Sequence, residues 1–180
     1  ARLERLIEPE RPVHEPEIHL DFARTDPPRN RIVLSVEDLQ FGYGPRILLS
    51  SLSIQINNGS KVALTGANGC GKTTFLRLLA GDLPDPDDAI RWVPKARIGF
   101  LKQDFRDLQD EDTVLACVSE NSVQPQAVVR TVLARLLFRG DDVYKRIGVL
   151  SGGERLKVAF ARLFVSGINV LLLDEPTNHL

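Results

Sequence analysis

Residues 61–81, KVALTGANGCGKTTFLRLLAG, constrain the fold of this chain more than any other stretch. The apolar run Val62, Ala63, Leu64 reads as a buried strand. Glycines at 66, 69 and 71 then let the backbone curl where a side chain would clash. Lys72 opens a helix whose apolar spacing runs to Gly81. The string Gly66, Ala67, Asn68, Gly69, Cys70, Gly71, Lys72, Thr73 fits the pattern G-x-x-x-x-G-K-[ST] without a mismatch. A curled main chain aims several N–H groups at phosphate oxygens, and a helix start adds the positive end of its dipole. Lys72 is expected to reach the β- and γ-phosphates, Thr73 to ligate Mg²⁺, and Thr74 to serve the α-phosphate. The expected ligand is a nucleoside triphosphate. Cys70 is read as a small residue that the loop tolerates.

A second half of such a site is present. NVLLLDEP places four apolar residues, Val170 to Leu173, before Asp174 and Glu175. A wholly apolar strand suits a central place in a parallel sheet. Acids at its C-terminal end lie beside a phosphate loop in open α/β sheets. Asp174 is expected to hold Mg²⁺ and Glu175 to act as general base toward water. LSGGE, 150–154, supplies another helix start: Ser151 followed by Glu154 is a capping box. Gly152 and Gly153 leave main-chain N–H groups bare there, which makes a second anion site. One nucleotide does not need two such sites from one domain. The second is therefore expected to face a nucleotide held by another, similar domain.

The rest of the chain fits an α/β domain with a parallel sheet. IVLSVEDLQF and LSSLSIQI alternate and read as antiparallel strands, AIRWV and ARIGFL as further strands. NNG at 57–59 reads as a turn. Helices are expected over 113–120, 125–138 and from 151 onward. The acids of 104–112 read as a solvated connection. Residues 1–30 carry Pro9, Pro12, Pro16, Pro27 and Pro28 and read as a helix end followed by an extended linker. The sequence has no methionine and stops at DEPTNHL, so a piece of a longer protein is expected. A net charge of -1 gives no general attraction to a polyanion. Two cysteines make a disulfide framework unexpected and point to a reducing, cytoplasmic setting. No apolar run of about 18 residues suggests a membrane span.

GANGCGKTT, LSGGE and LLLDEPTNHL, in this order, resemble the nucleotide-binding domain of the ATP-binding cassette (ABC) superfamily over about residues 31–180. The resemblance implies a P-loop NTPase fold with an antiparallel β subdomain and a helical subdomain that carries the signature. It implies truncation at the C-terminus, before the family's switch histidine; His179 is not that residue. Tyr43 matches the aromatic that stacks on adenine, ahead of Phe41. Gln103 matches the glutamine that senses the γ-phosphate and Mg²⁺. Ser151, Gly152 and Gly153 match the signature that closes over ATP on the opposite domain. DEPTNHL and the stretch from Gln103 to Leu150 resemble the ABC-F group in particular. That implies a second cassette on the same chain, and action on the ribosome, its rRNA or tRNA, in translation or antibiotic resistance. The leading RLERLIEPERP resembles the end of the linker between two cassettes. The rival expectations are the motor subunit of a membrane transporter and a non-hydrolytic binding module.

Overall fold

The computed structural model describes residues 31–85, 87–102 and 104–175. The linker read over 1–30, the sensor role read for Gln103 and the PTNHL segment lie outside the described residues.

The described chain builds two lobes around two separate apolar clusters. In the first, β1 (Ile32–Tyr43) and β2 (Arg46–Asn57) form an antiparallel hairpin, and β3 (Ile90–Trp92) pairs with the other edge of β1. Alternation sends Leu34 and Val36 inward. The alternation would turn Leu39 outward, but an extra residue in β1 between Val36 and Leu39 restores it to the core. Asp38 takes a left-handed φ of 49° there, and its N–H donates to Ser53 Oγ at 2.9 Å. α1 (Lys72–Leu79) lays Phe75, Leu78 and Leu79 on this sheet. The Trp92 indole N–H binds the Leu79 carbonyl at 3.0 Å, at the end of that helix. Gly81, at φ 79°, then stops α1 with bonds from Gly81 N–H to Leu78 O and from Asp82 N–H to Arg77 O.

The second lobe contains α2 (Val114–Ser119), α3 (Gln126–Arg135) and α4 (Gly152–Val165). Val114, Val118, Leu133, Ile147 and Val158 are fully buried in its core. Between the lobes, β4 (Ile98–Leu101) pairs in parallel with β5 (Val170–Leu173), Ile98 opposite Val170 and Leu101 opposite Leu173. The connection between them carries α2, α3 and α4 across. Gly99 lies where α4 and the chain after it approach most closely; a Cβ there would sit 2.5 Å from Ile168 Cδ1.

Three expectations are corrected. The strand expected at 61–66 is not part of a sheet: the segment is unpaired, with Val62 and Leu64 exposed. An apolar strand is buried only when neighbours flank it, and no described strand pairs with this one. For the same reason β5 is not central: among the described residues it is bonded along one edge, and Leu173 is exposed. The helix expected to reach residue 138 stops at Arg135. Leu137 takes φ 73°, and the bonds Leu137 N–H to Ala134 O and Phe138 N–H to Leu133 O repeat the Gly81 arrangement with leucine in the glycine's seat.

Candidate functional site

The site starts from the glycines of the loop. Gly71 stands at φ 103° as the residue before α1, and Gly69 at φ 76°. These values are left-handed and suit residues without a Cβ. Gly71 offers no side chain to cap α1, so the first-turn amides of α1 meet no side-chain acceptor from that position. A positive helix end ringed by glycine is an anion cradle. Residues 66–70 are exposed, whereas the Thr74 side chain, expected at the α-phosphate, is buried.

Lys72 curls its ammonium back over the loop, donating to the carbonyls of Gly66 and Ala67 at 3.0 Å each. Its charge therefore lies over the loop, held by the loop's own carbonyls. The hydroxyl of Thr73 donates to Asp174 Oδ1 at 3.1 Å across 101 positions of sequence. This bond joins the phosphate loop to the end of β5. Asp174 is 5% exposed, and its N–H continues the β4–β5 pairing by bonding to Leu101 O. Glu175 follows at φ 44°, a costly backbone for a residue with a Cβ, which turns the chain out of the strand.

The hairpin approaches the same place. Leu48 and Leu49 of β2 lie beside Gly71, within 3.7 Å of where its Cβ would be. Leu49 is paired with Phe41, and the Phe41 ring meets Tyr43 edge to face at 5.4 Å. The aromatic pair thus sits two contacts from the loop, with Tyr43 half exposed.

Ser151, Gly152 and Gly153 open α4 in the other lobe. Ser151 Oγ accepts from Glu154 N–H at 3.3 Å and donates to Glu154 Oε2 at 2.8 Å. Glu154 Oε2 also accepts from Ser151 N–H at 2.8 Å. Those bonds, the main-chain one first, hold the Glu154 carboxyl below its ordinary range. Ser151 and Gly152 are exposed. Loop, Asp174 and hairpin therefore converge, while the α4 start stands on the helical lobe.

The sequence reading missed the ties that fix these parts. Asp107 and Asp110 belong to the stretch read as a solvated connection, yet both are engaged. Asp107 meets Lys102 at 3.3 Å, and Asp110 meets Arg155 of α4 at 2.9 Å. Arg155 also donates to the carbonyls of Gly148 and Leu150, just before the α4 start. A basic residue at either partner position, 102 or 155, was the available signal. Among the described residues, no three His, Cys, Asp or Glu side chains gather as a metal site. No described helix is long and apolar enough to cross a membrane.

Comparison with known proteins shows the family. A family model described as "ABC transporter" matches residues 49–178. The probable ATP-binding protein YbiT of Escherichia coli O157:H7 is 39% identical over 83% of this chain and 29% of its own length. The ABC transporter F family member 2 of Arabidopsis thaliana is 35% identical over 83% of this chain and 23% of its own length. This chain thus spans less than a third of these relatives. Among solved structures, a bacterial Atm1-family ABC exporter with ATP bound superposes with a TM-score of 0.71, at 27% identity, over 89% of this chain and 32% of that one.

Proposed function

The chain belongs to the ABC transporter family, with F-family members among its relatives, and from that premise we propose that it is the ATP-binding part of a larger ABC-F ATPase. The observation that carries the reading is the Thr73–Asp174 hydrogen bond, which ties the loop to the acid-ended strand. A hydroxyl and a carboxylate 3.1 Å apart are hard oxygen donors, and they fit Mg²⁺ with phosphate and water completing its shell. Bound there, the ion would neutralise charge on the transferring phosphoryl group.

The chain's own groups have separate tasks in this proposal. Loop amides and Lys72 hold the β- and γ-phosphates, and Tyr43 covers the base. Gln103 senses the γ-phosphate, and Glu175 accepts a proton from the attacking water. Ser151, Gly152 and Gly153 contact the nucleotide of a second cassette. Closure of the pair is the mechanical step, and hydrolysis resets it. The proposed partner is the ribosome.

Glu175→Gln in the full-length protein should trap the ATP-closed pair and make it sediment with ribosomes in ATP. No sedimentation would refute the ribosomal assignment. The likeness to an ABC exporter favours a second reading, a transporter motor. In that case the trapped variant would partition with membranes instead. The 180-residue chain alone should bind ATP weakly and turn it over negligibly, because half of each composite site is on the partner cassette.

A further inference from the structure

Lys102 follows β4 directly, and its ammonium lies between two carboxylates from different lobes: Asp82 at 3.1 Å and Asp107 at 3.3 Å. Each acid is itself tied to a helix. Asp82 N–H bonds to Arg77 O at the end of α1, the helix that begins at the phosphate loop. Asp107 O accepts from Arg162 of α4 at 2.8 Å, the helix that begins at Ser151. Arg162 also pairs with Glu120 at the end of α2. One cation thus links the two helices whose starts are the expected phosphate sites. On the α4 side, Lys102 and Asp107 line a cleft of about 570 Å³ with the end of β4, the residues just after α2, and α4.

We propose that Lys102 is a positioning residue, an electrostatic pin that sets the α1 lobe and the α4 lobe at one angle. The proposal rests on the reading of the two helix starts as phosphate sites, since that reading gives the angle its use. The pin adds little to folding, because partly exposed ion pairs are worth little in water. Its effect is geometric. Two carboxylates held on separate lobes repel, and a single ammonium between them turns that repulsion into a fixed separation. Burial, the largest influence, pulls the Lys102 ammonium down, but the two aspartates together raise it above its ordinary value, so it stays charged.

The test is an interlobe distance measured by pulsed electron spin resonance on the whole chain without nucleotide. Spin labels replace exposed Gln55 on β2 and Ala127 on α3, in a Cys70→Ser, Cys117→Ala background. The unaltered Lys102 chain should give one narrow distance. Lys102→Met should widen it measurably, and Lys102→Arg should keep it. Asp107→Asn should broaden it partly. About 1 M salt, which screens over roughly 3 Å, should broaden it less than Lys102→Met does, because partly buried pairs are screened less than exposed ones. A Lys102→Met distribution as narrow as the parent's, or a Lys102→Arg distribution as broad as that of Lys102→Met, would overturn the pin. ATP titration of the unlabelled chain separates the two readings. The affinity of Lys102→Met should lie within about threefold of the parent. A parent chain that binds no ATP would refute the phosphate-loop reading, while the distances alone would still decide the pin.

Discussion

Replacing Ser151 with alanine tests the α4 cap with a single atom. The Ser151 hydroxyl makes two bonds, accepting from Glu154 N–H at 3.3 Å and donating to Glu154 Oε2 at 2.8 Å. Alanine loses both and keeps the main-chain bond from residue 151 to the same carboxylate. Loss of a Ser cap costs about 1 kcal/mol, and water can replace part of the contact at an exposed helix start. In a chain of this size that amounts to roughly 2–4 °C in Tm. Far-UV circular dichroism in urea should show the loss. Ser151→Thr, which keeps the acceptor, should lose less than half as much.

The pH dependence of the cap has a definite sign. Glu154 is depressed in the folded state, so its contribution is present above the unfolded carboxyl value and fades as pH falls through the lower folded value. The stability gap between the parent and Ser151→Ala should therefore narrow in acid, below the usual glutamate range. An alanine variant within about 0.3 kcal/mol of the parent at neutral pH would refute the cap. A gap that stays constant into acid would instead refute the hydroxyl-to-carboxylate bond, since the bond from Glu154 N–H does not titrate.

Gly99→Ala should cost about 1–3 kcal/mol by crowding Ile168 and Leu163, and adding Ile168→Val should restore part of it in urea titration. At residue 137, left-handed strain of about 1 kcal/mol weighs on a leucine that is 44% exposed. The urea midpoints should therefore rank Gly above Leu above Val at that position. Lys72→Ala should weaken ATP binding at least about tenfold by calorimetry while leaving the thermal midpoint near that of the parent.

Local chemistry was legible in the sequence wherever it was self-contained. The capping box at Ser151, the glycine stop at Gly81 and the hairpin of β1 and β2 each depend on a few adjacent residues, and each is found. The link from Thr73 to Asp174 was implied by two motifs far apart in the chain. Where the sequence misled, the missing information was tertiary. Val62 and Leu64 have the composition of a buried strand, but burial needs neighbours that composition does not name. Leu137 carries no turn signal, yet it occupies a left-handed seat because Phe138 is buried in the helical core. Asp107 and Asp110 looked like solvated acids until Lys102 and Arg155 appeared opposite them.

The division of apolar residues into two clusters has a consequence for how this molecule opens. Leu34, Leu39 and Phe75 answer to one interior, Val118, Leu133 and Val158 to the other, and the short β4–β5 ladder spans the space between. Such regions behave as distinct cooperative units rather than as one. Amide protons of α2, α3 and α4 should then exchange with solvent deuterium as a group, on a different schedule from those of β1 and α1. A disturbance at the tip of α4 would be felt by its own group first, and the hairpin's protons would keep their pace.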